Sequence, residues 1–360
     1  MFRFGLESLF SGKGVVGLDI GSSSLKLTEI SDSADGYVLS RFSRLPLPRG
    51  VIVGGNLLGK EVLVEKIRQL FKDSGCKAKK VVTSLSGHAV IVKKVGFPVS
   101  EEEELRDLLN DEAEKYLPFD DIKEVNFDFQ ILGESDVMPG QMDVILAAAK
   151  KEVVKSYVEA IEKAGLKVVI VDVDSFALET MYEANYDFEE QDVIVLVNIG
   201  ASITNINVVK RGGSLFTRDF AMGGDSITES IQRKIGVDFD EAEKIKIAVV
   251  EGDPDEQRIP ASELIELADP IFLEIERSVD YFRSIYAGEY IKKLLLSGGS
   301  AKIPGILHVL TQKLNIEAEL VNPVRNILFD KRVFDPKVLD DIGPDAAVAV
   351  GLSLRRVNDR

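Results

Sequence analysis

Three short runs in this chain carry the residue types that hold a polyphosphate. The first is Gly17-Leu18-Asp19-Ile20-Gly21-Ser22-Ser23-Ser24-Leu25-Lys26. Glycine at a turn permits positive φ, which aims successive backbone N–H groups inward as an anion nest. Three serine hydroxyls add donors suited to phosphate oxygens. Asp19, at a strand end, can hold Mg²⁺ through water, because Mg²⁺ keeps most of its own waters. Lys26, on the returning strand, can reach a phosphate. Taken alone, the run also reads as an ordinary Gly-Ser hairpin.

The second run, Asn198-Ile199-Gly200-Ala201-Ser202-Ile203-Thr204, offers the same kind of nest. Two nests on opposed halves clamp a polyphosphate from both sides, which one hairpin cannot do. The third is Leu296-Ser297-Gly298-Gly299-Ser300-Ala301-Lys302-Ile303-Pro304-Gly305, where a buried strand meets a Gly-Gly turn. A helix is expected to start near Pro304, and glycine pairs at such points let a flat ligand lie against the backbone. Alone it is also a helix-entry turn. The three runs in this order point to a nucleotide site.

Elements must bring these runs together. Val15 to Ile20 and Leu25 to Ile30 predict a hairpin, and Val193 to Val197 with Ile203 to Val209 predict a second. Asp19 and Asn198 lie 198 − 19 = 179 residues apart, half of the 360-residue chain, so two similar halves facing each other are expected. Between the hairpins a helix fills 59–75, closed by Gly75, and strands follow at 81–85 and 89–95. Ser100 with Glu103 reads as a capping box opening a helix with Leu105, Leu108, Leu109 and Ala113 on one stripe. Val125 to Ile131 alternates as a half-buried strand and Val144 to Ala149 forms another. The piece 86–145 is thus a β-α-β-β insertion. A helix at 150–164 leads into a strand at 167–171. Helices are expected at 226–235, 240–250, 262–286 and 344–356, and a strand at 294–296. Strands alternating with helices predict α/β layers.

Composition removes several classes. Net charge is −16, which argues against nucleic acid or an anionic lipid surface as main partner. The single Cys76 excludes an intramolecular disulfide and a cysteine-cluster metal site, and suits a reducing compartment. Two histidines, His88 and His308, stand in unrelated contexts, which disfavours a histidine metal site or a Ser-His-Asp triad. No apolar run approaches the ~18 residues of a membrane span. The stretch MFRFGLESLF is too short and too interrupted by charge for a signal peptide. A cytoplasmic chain is expected, held at any membrane by something else.

At these residues the chain resembles the actin/Hsp70/hexokinase superfamily. Its D-I-G-S-S-S-x-K, N-I-G-A-S-x-T and L-S-G-G-S-A-x-x-P-G-I runs are similar to the phosphate 1, phosphate 2 and adenosine motifs. Within it the chain looks most like the PilM family of actin-like type IV pilus assembly proteins, itself similar to the cell-division protein FtsA. The resemblance spans essentially the whole chain, including the 86–145 insertion, which looks like the 1C subdomain that FtsA and PilM carry in place of actin's 1B. The turn Gly223-Gly224-Asp225-Ser226-Ile227-Thr228 and the ending Ala346 to Arg356 also look like that family.

The resemblance implies an α/β, actin-like (ribonuclease H-like) two-domain ATPase fold with an FtsA-type 1C insertion. The halves would be 1–190, with the insertion at 86–145, and 191–343, with a helical subdomain at about 230–289. Residues 344–360 would return as a helix to the first half. ATP/ADP and Mg²⁺ are the implied cofactors. Gly21, Ser22, Ser23 and Lys26 would line phosphate 1, with Asp19 near the metal. Gly200, Ala201, Ser202 and Thr204 would line phosphate 2, with Gly223 and Gly224 beside the phosphates. Glu243 and Lys246 fit ribose and adenine contacts, or a solvated helix face. Gly298, Gly299 and Ser300 would cover the adenosine. Asp172 matches the spacing of the water-positioning acid, and Asp174 is the alternative.

One departure bears on catalysis. Asn198 stands where hydrolytic relatives carry aspartate, and an amide adds no charge to hold Mg²⁺ or activate water. Binding without fast turnover is therefore expected, with Asp172 and Asn198 as the residues nearest to a catalytic role. The implied partner is the cytoplasmic N-terminal tail of a PilN-like inner-membrane protein, held in the groove between the core and the insertion. The strand Val125 to Ile131, if at an edge, can accept an extended peptide by strand addition. Pilus motor ATPases, the platform protein and self-association are further implied contacts, without nucleic acid or direct membrane insertion. Two other readings compete. An FtsA-like membrane-tethered filament protein ends in a linker and an amphipathic basic helix, whereas this chain stops at Ser353-Leu354-Arg355-Arg356-Val357-Asn358-Asp359-Arg360. A sugar kinase needs a catalytic-base aspartate in a substrate pocket, and no loop identifies one.

Overall fold

The structure, a computed structural model, describes residues 15–119, 121–135, 138–187, 189–211 and 213–356. The stretch MFRFGLESLF and the last four residues, 357–360, on which two of the expectations above rest, lie outside them.

The first half opens with β1 (Val15–Ile20), β2 (Ser24–Ser33) and β3 (Gly36–Pro46), followed by the short ladder β4 (Ile52–Val53) and β5 (Asn56–Leu57). Helix α1 (Lys60–Ser74) then buries Leu63, Val64, Ile67 and Leu70 on one stripe, and Gly75 ends it at φ 64°. Strand β6 (Lys80–Leu85) leads into the insertion, which contains β7 (Val90–Pro98), α2 (Glu102–Glu112), β8 (Val125–Glu134) and β9 (Gln141–Lys150). Helix α2 starts one residue later than expected. Its N-cap is Glu101 and no side chain caps it, so Ser100 forms no capping box. Three glutamates in its first turn favour the positive helix end instead. The half continues with α3 (Lys151–Lys163), β10 (Lys167–Val173) and α4 (Asp174–Asn185).

The second half repeats the opening as β11 (Val193–Ile199), β12 (Thr204–Lys210) and β13 (Gly213–Phe220). Helices α5 (Gly224–Ile235), α6 (Phe239–Glu251) and α7 (Ala261–Ile285) follow, then β14 (Ile291–Ser297), α8 (Ile306–Leu314), β15 (Ala318–Leu320), β16 (Leu328–Phe329) and α9 (Pro336–Leu354). Helix α9 begins eight residues earlier than Pro344. Asp335 caps it by accepting from the Lys337 N–H, and Pro336 takes the first helical position, where a missing N–H does no harm. Pro344 therefore sits inside the helix.

The sheets make the internal duplication plain. The first runs β10-β6-β1-β2-β3-β16 and the second β13-β12-β11-β14-β15. In each, an antiparallel three-stranded meander is extended by two parallel strands beside its first strand. The insertion interrupts the first copy between β6 and β10, and α5–α7 interrupt the second between β13 and β14. The insertion sheet is ordered β7-β9-β8, leaving β8 at an edge, and has its own core of Phe97, Leu105, Leu109, Val144 and Leu146. Burying each such side chain stabilises by roughly 1.5–3 kcal/mol.

Helix α9 ties the halves together. One continuous apolar cluster joins its residues Ala346, Ala347, Val350 and Leu354 to Val82 and Ile170 of the first sheet and to Ile194, Leu196 and Leu295 of the second. Two glycines allow the close approach. A Cβ on Gly17 would lie 2.3 Å from the Ala349 carbonyl oxygen, and one on Gly351 would lie 1.8 Å from that of Ala177 in α4.

Candidate functional site

The two hairpin turns face each other across a cleft of about 580 Å³ at the carboxyl ends of β1, β6, β11 and β14. Each turn closes the same way. The Gly21 N–H donates to the Ser24 carbonyl (3.1 Å) and the Gly200 N–H to that of Ile203 (3.0 Å). Neither glycine takes positive φ. Glycine is needed there for space, because a Cβ would meet the acceptor carbonyl at 3.1 Å and 2.9 Å respectively. The expected nest of positive-φ glycines is thus replaced by two tight turns presenting hydroxyls. Ser22 and Ser23 line one wall, and Gly200, Ala201 and Ser202 the other. Gly298 does adopt positive φ, 92°, because its Cα lies against Ile199, whose carbonyl oxygen a Cβ would reach at 2.3 Å.

Most of the residues singled out from sequence meet in this cleft: Asp19, Gly21, Lys26, Asn198, Gly224, Glu243, Lys246, Gly298, Gly299 and Ser300 besides the turn residues. Three do not line it. Asp172 is buried on another face, where Arg355 donates to both its carboxylate oxygens at 2.5 and 3.3 Å. Asp174, the first residue of α4, holds the cleft position instead. Thr204 donates to the Met222 carbonyl (2.8 Å) and locks the start of β12 to the segment between β13 and α5. Gly223 lies where a Cβ would be 2.4 Å from the Gly200 carbonyl oxygen, and it lets α5 dock on the second turn. The first N–H groups of that helix are taken by the turn itself, Gly224 to Gly200 (2.9 Å) and Asp225 to Ala201 (2.8 Å).

Asp174 accepts from the Ser84 hydroxyl at 2.5 Å. Burial, and then the negative charge of Asp19, push its pKa up to about 7, against that hydrogen bond. Lys26 is more tightly engaged than expected. Its ammonium pairs with Asp19 (3.0 Å) and Asp345 (3.3 Å). Burial disfavours its charge, but the two carboxylates outweigh that and hold it protonated, above the ordinary lysine value. Lys246 pairs with Glu243 (2.7 Å) and donates to Thr228 (2.8 Å) and the Gly224 carbonyl (3.1 Å), staking α6 to α5 at the cleft wall. Asn198 donates to Asn205 Oδ1 (3.0 Å), a cross-strand bond that fixes the amide.

Sequence reasoning missed Arg44, Ser84, Tyr157, Asn205, Lys302 and Asp345, all of which line the cleft. Register was the available signal for Arg44, since the β2–β3 pairing sets it opposite Lys26. The charged lining comprises Lys26, Arg44, Lys246 and Lys302 against Asp19, Asp174, Glu243, Glu251 and Asp345. Four cations face five acids, so the cleft is not strongly positive, and a polyphosphate there needs a counter-cation. Among the described residues no group of three or more His, Cys, Asp or Glu is arranged to hold a metal by itself. Asp19, Asp174 and Asn198 at the mouth of the turns suit Mg²⁺ that is coordinated chiefly by phosphate and water.

The family described as type IV pilus assembly protein PilM matches residues 17–357. A solved structure described as a PilM–PilN type IV pilus biogenesis complex superposes with a TM-score of 0.82 at 28% identity, covering 97% of this chain and 100% of that one. The ethanolamine utilization protein EutJ of Carboxydothermus hydrogenoformans shares the fold at a TM-score of 0.56 and 14% identity, over 94% of this chain and 88% of its own. The cell division protein FtsA of Bacillus subtilis is 20% identical over 375 residues, 91% of this chain and 82% of its own length. The architecture is the two-domain actin-like α/β fold expected from the motifs.

Proposed function

Because this chain belongs to the PilM family of type IV pilus assembly proteins, we propose that its cleft binds ATP or ADP with Mg²⁺ and that nucleotide state acts on a peptide partner. The observation that carries the reading is the convergence of two equivalent hairpin turns and the Gly298–Gly299 turn on one cavity. Phosphates would lie between Ser22–Ser23 and Ala201–Ser202, beside Lys26 and Arg44. The base would lie over Gly298–Gly299 towards Ile247 and Val250 of α6. Asp19 and Asp174 would order metal-bound water, with Asp174 rather than Asp172 in the water-positioning role. Asn198 supplies no charge there, so turnover would be slow and nucleotide would act chiefly as a conformational ligand.

The partner follows from the solved relative described as a PilM–PilN complex. This chain would hold the cytoplasmic tail of a PilN-like inner-membrane protein beside the insertion, where β8 offers an unpaired edge for strand addition. Among the described residues no helix is long and apolar enough to cross a membrane, which suits a cytoplasmic protein placed at the inner membrane by that tail.

Calorimetric titration with ATP–Mg²⁺ and fluorescence anisotropy with the tail peptide test the two parts. Saturable binding in both is expected, and liposomes alone should not sediment the chain. Absence of nucleotide binding by the folded chain removes the first part. Tail binding that survives deletion of 86–145 in a folded, ATP-binding variant places the partner elsewhere, and strong liposome binding favours an FtsA-like protein.

A further inference from the structure

We propose that Asp345 competes with phosphate for Lys26 and Arg44, and thereby ties nucleotide binding to helix α9; the proposal rests on the nucleotide reading above. Asp19, Lys26 and Arg44 are successive cross-strand partners on β1, β2 and β3, so their side chains leave the same face of the first sheet. Gly17, two residues before Asp19, lies on that face too. A Cβ there would meet Ala349 O at 2.3 Å and Ser353 N at 2.7 Å, so α9 covers this face. Asp345, Ala349 and Ser353 recur every four residues and form one stripe of the helix. The stripe that rests on Gly17 therefore carries Asp345 to the Lys26–Arg44 end of the row.

The Asp345 carboxylate divides its oxygens between the two cations. Oδ1 lies 3.3 Å from Lys26 Nζ and Oδ2 lies 3.2 Å from Arg44 Nε. Oδ2 is buried and makes no hydrogen bond of good geometry, so the Arg44 contact is one of charge rather than of directed bonding. Burial opposes ionisation of this carboxyl, yet Lys26 and Arg44 hold its pKa below the ordinary value. One anion thus sits between two cations, the place that a phosphate oxygen takes in an ion-paired site. A carboxylate and a phosphate cannot share that place without close like-charge repulsion.

The competitor sits on the helix that packs on both sheets. The carbonyl of the preceding residue, Pro344, accepts from the Gly298 N–H at 2.8 Å, which joins the same helix to the Gly-Gly turn. Displacing Asp345 shifts the segment of α9 that bridges the two sheets. Phosphate taking Lys26 and Arg44 is then felt along a helix packed on both halves. Asp345 acts here as a positioning residue for those cations.

The test is Asp345→Asn in the full chain, titrated with ATP–Mg²⁺ and followed by hydrogen exchange over 336–354. Removing the competing charge should tighten ATP binding by about fivefold, with a steeper salt dependence. Nucleotide should change α9 exchange in the wild type and leave it unchanged in the variant. Weaker or unaltered ATP affinity in a folded Asp345→Asn chain overturns the proposal. Arg44→Ala tests it independently should that variant fail to fold: affinity should fall about tenfold, and unaltered affinity overturns the role given to this cation pair. A wild-type chain that binds no ATP removes the nucleotide reading and this proposal with it. Wild-type binding without the variant effects removes this proposal alone.

Discussion

The Ser202 hydroxyl donates to the Ser22 hydroxyl at 2.7 Å, so the two hairpin turns, from opposite halves of the chain, touch at the floor of the cleft. A phosphate chain bound as proposed would exchange that bond for bonds to its own oxygens. The neighbouring Ser23 points into the same space. Ser23→Asp sets a carboxylate among the phosphate oxygens and should weaken ATP binding at least about tenfold, on the order of 1.4 kcal/mol. Calorimetric titration reads the change; an unaltered dissociation constant would move the phosphates off this turn.

Gly351→Ala probes the contact that lets α9 lie on α4. The added Cβ would sit 1.8 Å from the Ala177 carbonyl oxygen, backbone against backbone, with no flexible side chain to yield. Overpacking of this kind costs about 1–3 kcal/mol, and rigid partners place it at the upper end. The urea midpoint should fall accordingly. A midpoint equal to wild type would contradict the close packing of these helices.

Much of this arrangement was legible in residues 17–26, 198–204 and 296–305, because glycine and serine at a strand end between apolar runs leave few alternatives to a tight turn. The limits were equally local. Asp172 and Asp174 differ by two residues, and spacing alone favoured Asp172. The passage from β10 into α4 at Asp174 aims the second carboxylate at the cleft, while Arg355, 183 positions further on, claims the first. Lys26 was legible as a phosphate contact but not as an ion-pair partner of Asp345, which comes from the far end of the chain. Pro344 looked like a helix start, although Asp335-Pro336 carried the stronger signal of a capping acid before a first-turn proline.

Stability should depend on pH through Asp174 and Glu179. Burial raises both to about 7, Asp174 with help from Asp19, and Glu179 against the hydrogen bond from Ser214. A raised carboxyl binds its proton more tightly in the folded chain than in the unfolded one, near pH ~4. Its favourable contribution is therefore complete below about pH 4 and is lost as pH rises through about 7. Asp174→Asn fixes the neutral form. Urea unfolding should show the variant gaining on wild type as pH rises from about 4 to about 7, and more stable than wild type at pH 8. A gap that shrinks with rising pH would reverse the sign and sink the assignment.

Asn198→Asp adds a charge at the end of the second hairpin's first strand, where the proposed Mg²⁺ would lie. The variant should bind Mg²⁺–ATP more tightly than wild type. Its turnover should rise by about tenfold or more from a wild-type rate well under ~1 per second. Phosphate release assayed under saturating ATP measures both proteins. A wild-type rate already in the range of kinases, ~1–100 per second, would show that an amide suffices here.

The return of α9 to the first sheet also governs how the chain must be made. Strand β3 finds its outer neighbour β16 through pairs such as Val38 with Leu328, 290 positions apart, and α9 covers the face of β1 that carries Gly17. On a ribosome, α4 ends at Asn185 and α9 begins at Pro336, 336 − 185 = 151 positions further on. At the usual pace of synthesis that interval lasts roughly 8–30 s. Throughout it the nascent first half carries an open strand edge on β3 and leaves Val82 and Ile170 of its sheet without the α9 residues they pack on, the features that recruit holding chaperones. Closure waits until α9 has been made, and a stalled or truncated product ending before residue 328 should partition to aggregates rather than accumulate as a soluble fragment.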